Sequence, residues 1–215
     1  MVIKESSDEL NPTELTTTFV KPAPRTRSAL DYLALALATC GVGFIPVAPG
    51  TLGSLLAVGI YLLFNLAYAR LLPFPALTER NVSNVETVLS LMRNTMQAAG
   101  LRTLVLLLFV TLLSWAGIWA ATRTESLLRR KDPGAVVIDE VVGQLITFLF
   151  LPFGVGLWTI FAGFLAFRLF DIWKPYPIRR LEALESGLGI MADDVLAGIY
   201  AAIFVALLWT TSLML

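Results

Sequence analysis

The sequence predicts an all-α, polytopic membrane protein, and three observations lead there. The chain is 57% hydrophobic and only 15% charged, with a mean hydropathy of +0.76; soluble domains run at about 45–50% apolar and about 25% charged. The apolar residues come in runs of bilayer-spanning length rather than in short alternating stretches. A lipid-exposed backbone must also satisfy its own hydrogen bonds, which makes those runs helices. The reading gives about five to six apolar helical segments, at 29–45, 53–72, 101–122, 135–151, 154–173 and 193–214. A span needs roughly 17–25 residues, so the second, third, fifth and sixth segments qualify. The first carries Asp31 and the fourth carries acids in its first turns, and both are short enough to be re-entrant.

The remaining stretches are polar. Residues 1–28 are acidic at first (Glu5, Asp8, Glu9, Glu14), then basic and proline-rich (Lys21, Pro22, Pro24, Arg25, Arg27). A cleaved signal has a short basic region followed at once by an apolar core, so this stretch reads as a disordered cytoplasmic tail. Residues 29–215 form the membrane-embedded domain. Within it, 73–100 is a far-side connection, with Val85, Val88, Leu89, Met92 and Met96 at helical spacing between polar residues. That pattern predicts an amphipathic helix on the membrane surface.

Composition also excludes chemistries. Formal net charge is zero, so no bulk field points to nucleic acid, and nothing in the chain points to a protein partner. One cysteine and no histidine leave no disulfide framework, no histidine-ligated zinc and no Ser-His-Asp triad. Cys40, among small apolar residues, reads as a packing residue.

Tracing the segments back and forth puts the unusual polar clusters at one face, called here the near side. The loops there hold Arg123, Arg129, Arg130, Lys131, Lys174, Arg179 and Arg180. The far connection holds Arg80 and Arg93, with Arg70 and Arg102 at its edges. The positive-inside rule makes the near side cytoplasmic.

The acids within apolar segments carry the chemistry. Asp139 and Glu140 lie in Val-Val-Ile-Asp-Glu-Val-Val-Gly, Asp171 in Phe-Arg-Leu-Phe-Asp-Ile-Trp-Lys, and Asp193 and Asp194 in Gly-Ile-Met-Ala-Asp-Asp-Val. One such acid can simply end a helix at the headgroups. Five acids from three helices converging on one face point instead to a site, because each buried charge needs a partner. Their mutual repulsion calls for a cation, and an all-oxygen ligand set suits magnesium, manganese or calcium. Arg168 and Lys174 flank Asp171 at i−3 and i+3, Pro175 and Pro177 break the helix, and Arg179 follows. These cations either pair with the acids or serve a phosphate dianion. In Gly43–Ser54, a Pro-Gly-Thr at 49–51 opens the next helix, with Thr51 or Ser54 as its cap and Gly50 in the turn. Free N–H groups there would face the near side as an anion site.

With those four stretches the chain resembles the phosphatidylglycerophosphatase A family from about residue 30 to its C-terminus. The resemblance rests on Pro-Gly-Thr, Val-Ile-Asp-Glu, Arg-Leu-Phe-Asp-Ile-Trp-Lys-Pro-Tyr-Pro-Ile-Arg and Gly-Leu-Gly-Ile-Met-Ala-Asp-Asp, in that order. It implies a magnesium-dependent enzyme of the bacterial inner membrane that converts phosphatidylglycerophosphate in the cytoplasmic leaflet to phosphatidylglycerol and phosphate. Manganese is the expected substitute. The resemblance makes Asp139, Glu140, Asp171, Asp193 and Asp194 the acidic, metal-holding site. With no convincing covalent nucleophile, the expectation is direct attack by metal-activated water. Glu140, Asp171, Asp194 and Lys174 are then the catalytic candidates, and Arg168, Lys174, Arg179, Gly50, Thr51 and Ser54 the phosphate-binding ones. Two other readings stay open: a different metal-dependent lipid-phosphate enzyme and an ion-coupled transporter. A CDP-alcohol phosphotransferase would show an Asp-x-x-Asp-Gly run that this chain lacks. A transporter would place polar groups at mid-bilayer, whereas the middles of segments two, three and six carry no charge.

Overall fold

The computed structural model describes residues 27–71, 85–212 and 214. Among them the chain is all helical: α1 Ala29–Thr39, α2 Pro49–Leu71, α3 Val85–Leu128, α4 Ile138–Thr147, α5 Leu157–Trp173, α6 Ile178–Leu181 and α7 Ser186–Ser212. Three helices are long and apolar enough to cross a membrane: α2, α3 and α7. Helix α5 has 17 residues, α1 has 11 and α4 has 10, so this measure does not reach the five to six segments expected. Of the expected tail at 1–28, residues 1–26 lie outside the described residues, and of the expected connection at 73–100, residues 73–84 do.

Helix α4 sits at the centre. At about 1.5 Å per residue it is about 15 Å long, half the hydrocarbon thickness of a bilayer. Eight of its ten residues are buried, enclosed by α2, α3, α5 and α7. A half-helix of this kind is tolerated because protein, not lipid, surrounds its ends. Its closest neighbour is α7. A Cβ on Gly198 would collide with the Gly143 carbonyl, and one on Gly143 would press on the Asp194 carbonyl and the Phe167 ring. Backbones approach this closely only where side chains are missing. Tyr61 of α2 packs on Phe148, with ring centroids 4.8 Å apart and the planes tilted by 36°.

Three boundaries differ from the sequence reading. Helix α2 begins at Pro49 rather than 53, since proline at the first helical position loses no hydrogen bond. Residues 85–100 are not a separate surface helix but the first part of the 44-residue α3. Gly100 is the one helix-disfavouring residue at that junction, and its cost of about 1 kcal/mol is too small to end a helix. Helix α7 begins at Ser186, seven residues before Asp193, so Asp193 and Asp194 lie two turns inside the helix rather than at its start.

Helix α1 is tied down at its N-terminus. Ser28 and Asp31 form a reciprocal capping box, and Asp31 Oδ1 also receives Arg123 Nε at 2.7 Å. The Asp31 carboxyl is held at about 2, first by the Ser28 backbone N–H and then by the Arg123 guanidinium. Asp31, the acid of segment one, is therefore a structural residue joining α1 to α3.

Candidate active site

The site forms where four helices bring their near ends together. Asp139 and Glu140 open α4, Asp171 lies in the last turn of α5, Asp194 projects from α7, and the first turn of α2 closes the ring. Between them is a cavity of about 320 Å³ lined by Gly50, Thr51, Asp139, Glu140, Arg168, Asp171, Lys174, Asp193 and Asp194, with Asp132 at its loop side.

The five acids fall into two groups. Asp139, Glu140 and Asp194 each offer a carboxylate oxygen within 4.8 Å of the others. Asp139 is 9% exposed and Asp194 3%. Asp139 Oδ1 and Glu140 Oε2 are buried with no hydrogen-bond partner. The other two acids are each paired with a cation. Arg168 Nη1 donates to Asp171 Oδ2 at 2.6 Å. Lys174 Nζ donates to Asp193 Oδ2 at 2.7 Å and to Glu182 Oε1 at 2.6 Å, while Asp193 Oδ1 is left without a partner. Lys174 does not continue the α5 stripe. It caps the helix in the left-handed region at φ 47°, which swings its side chain from Asp171 toward α7. Half-burial works to lower its pKa, but the hydrogen bonds it donates to Asp193 and Glu182 outweigh that and hold it above the ordinary lysine value. It therefore stays charged at any physiological pH.

Gly50 has a specific part in this arrangement. A Cβ there would collide with Glu140 Oε1 and stand 3.3 Å from Arg168 Nη1. The missing side chain lets an acid of α4 and a cation of α5 both lie against the α2 terminus. Leu52 N–H already bonds the Ala48 carbonyl, while the first turn, through Gly50 and Thr51, borders the cavity. A 23-residue helix presents its positive end there.

Two sequence candidates lie elsewhere. Ser54 is fully buried and donates to the Gly50 carbonyl at 3.0 Å, one turn inside α2, so it neither caps the helix nor lines the cavity. Arg179 is exposed on the short α6, outside the cavity lining. Cys40 caps α1 with its thiol on the Leu37 carbonyl, also outside it. The sequence reading missed Asp132 and Glu182, which look like ordinary loop acids until the chain folds, and Gln144. Gln144 is fully buried one turn beyond Glu140, with both amide atoms unpaired; a glutamine in an apolar half-helix was the available signal.

Fold and site together define a helical membrane protein with a carboxylate-lined cavity at one end of its bundle. The family model for phosphatidylglycerophosphatase A matches residues 35–209, and the chain belongs to that family. It is 40% identical over 167 residues to a Bacteroides thetaiotaomicron protein provisionally named a phosphatidylinositol-3-phosphatase, covering 77% of this chain and 86% of the relative. It is 31% identical over 163 residues to the Escherichia coli phosphatidylglycerophosphatase A, covering 75% of this chain and 74% of that protein. The Haemophilus influenzae phosphatidylglycerophosphatase A is 44% identical over 102 residues, 47% of this chain and 62% of that protein. No solved structure matches the chain.

Proposed function

We propose that this protein hydrolyses the terminal phosphomonoester of phosphatidylglycerophosphate, releasing phosphatidylglycerol and phosphate, with magnesium or manganese as cofactor. The observation that carries the reading is the trio Asp139, Glu140 and Asp194, whose buried, partly unpaired oxygens lie beside two cations and a helix N-terminus. Three carboxylates this close repel one another unless a cation sits between them, and hard oxygen ligands fit a divalent one. The trio would hold it, with Asp171 available once Arg168 turns to substrate. Such a cation supplies positive charge against the phosphoryl oxygens and makes water more acidic.

The protein's own groups do the rest. The N–H groups of Gly50 and Thr51, with Arg168 and Lys174, bind the phosphate dianion and stabilise charge as the bond to the lipid oxygen breaks. Glu140 Oε2 is unpaired and orients the attacking water and takes its proton. The phosphorus–oxygen bond to the incoming water forms as the one to the lipid oxygen breaks in line, and the departing oxygen takes up a proton from solvent to leave as the alcohol. Single turnover in oxygen-18 water should put one label into the released phosphate. A phosphoenzyme on the pathway would overturn direct attack.

The decisive assay is phosphate release from a short-chain phosphatidylglycerophosphate, with magnesium and with EDTA; undiminished turnover in excess EDTA rules the mechanism out. The 40% identity to the Bacteroides protein supports a second reading, in which the phosphate sits on an inositol headgroup; phosphatidylinositol 3-phosphate in the same assay decides between them. The basic loops support an orientation with the site at the cytoplasmic face of a bacterial inner membrane. In a Cys40→Ser background, a cysteine at 128–131 should label only from the cytoplasm and one at 81–84 from the periplasm. The reverse pattern contradicts this orientation.

A further inference from the structure

A second chamber of about 430 Å³ adjoins the carboxylate cavity and shares Asp132, Ile190 and Asp193 with it. Its other polar walls are Glu125, Lys131, Glu182 and Ser186. Lys174 ties the two spaces together, bonding Glu182 in the second chamber and Asp193 in both. Asp193 is 6% exposed and its Oδ1 is buried with no partner, so an unsatisfied acceptor lies at the shared wall. Glu125 is steered by Ser186, whose hydroxyl donates to its Oε2 at 2.8 Å.

We infer that this second chamber binds the polyol that links the departing phosphate to the rest of the lipid. Glu125, Asp132 and Asp193 accept hydrogen bonds from its hydroxyls and so set headgroup specificity. The inference rests on the phosphatase reading above. Its chemistry follows from the lining. Four carboxylates line it, against Lys131 in its own wall and Lys174, which reaches Glu182 and Asp193 from the first cavity. That balance disfavours a further anion and suits a neutral, donor-rich group, since a hydroxyl donating to a carboxylate makes a charge-assisted bond. The volume is within the usual range for small-molecule sites and has room for a polyol of three to six carbons. A phosphate in the first cavity would place the carbon attached to it at the shared wall. In phosphatidylglycerophosphate and in an inositol phospholipid the next group along is a hydroxylated carbon.

The test compares two lipids: phosphatidylglycerophosphate and its analogue with a propanediol headgroup, which lacks the free hydroxyl. The full-length protein is assayed as wild type and as the Asp132→Gly, Glu125→Ala double variant. Asp132 is exposed with φ at 45°, so glycine removes its side chain without backbone strain. Wild type should favour the hydroxylated lipid by about tenfold in kcat/KM, the value of one hydrogen bond to a charged group, and the double variant should bring that ratio close to one. A wild-type ratio near one, or a ratio the variant leaves intact, overturns the inference while the phosphatase reading stands. Wild-type failure to release phosphate from either lipid overturns both. If Glu125→Ala loosens the α3–α7 contact, Asp132→Gly alone must still lower the ratio severalfold.

Discussion

At the far end of the bundle, Arg102 of α3 is 2% exposed, yet its charge is met by neutral partners alone. Its guanidinium donates to Asn65 Oδ1 at 2.9 Å and to the Leu151 carbonyl just past α4, while Asn65 Nδ2 donates to the Tyr61 carbonyl at 2.7 Å. Among the described residues, no buried side-chain atom of Arg102 or Asn65 lacks a partner. At the near end, Asp139, Glu140 and Asp193 each keep a buried oxygen with none. A buried polar group left open costs about 1–3 kcal/mol, more when charged. The far end therefore reads as structure, complete in itself, and the near end as a site whose remaining partners come from outside the chain.

The sharpest way to break this contrast is to remove the near-end charges. Asp139→Asn, Glu140→Gln and Asp194→Asn should each lower kcat by about a thousandfold, on the scale of losing one element of electrostatic stabilisation. In EDTA they should melt at or above the wild-type temperature, because a mutually repelling charge is gone. Melting well below wild type would mean the trio holds the fold. Gly50→Ala comes next. It pushes Glu140 and Arg168 apart, and misplacement by about 1 Å costs on the order of a hundredfold in rate; unchanged steady-state kinetics would deny Gly50 its spacing role.

Arg102→Ala should behave in the opposite way. Losing a charged donor and stranding the Leu151 carbonyl should cost about 3 kcal/mol of stability, with kcat per folded molecule kept. An activity loss without a shift in denaturation would erase the distinction between the two ends. The smallest effect concerns Asp31, a near-end acid that is paired. Its folded pKa of about 2 lies below its ordinary 3.8, so its contribution is present above about pH 4 and fades as pH falls through 2. Wild type and Asp31→Asn should differ in melting at pH 6 and converge only below about pH 2; a gap independent of pH would mean the charge is not what counts.

The sequence showed the helical class and the acids because both follow from one local fact: a run of apolar residues is costly to interrupt with a charge. Asp139, Glu140, Arg168, Asp171, Lys174, Asp193 and Asp194 were legible on that ground, and all of them line the cavity. Helix ends were harder to read. The last apolar run opens at Asp193, but Gly187, whose Cβ would strike the Ile118 carbonyl, lets α7 begin earlier by packing on α3. Asp31 also interrupts an apolar run, and pattern alone cannot see its partner Arg123, 92 residues away.

What the sequence by itself determined is the inventory: membrane helices, an all-oxygen set of ligands without histidine, cations beside acids, and a proline-glycine helix start. Only the tertiary structure decided how these divide. It gathered Asp139, Glu140 and Asp194, paired Asp171 with Arg168 and Asp193 with Lys174, turned Ser54 inward and left Arg179 outside. The physical reason is distance. Charges attract or repel according to separations of a few ångströms. Those separations are set by backbone contacts such as Gly143 on Gly198 and Gly50 on Glu140, between residues that lie far apart along the chain.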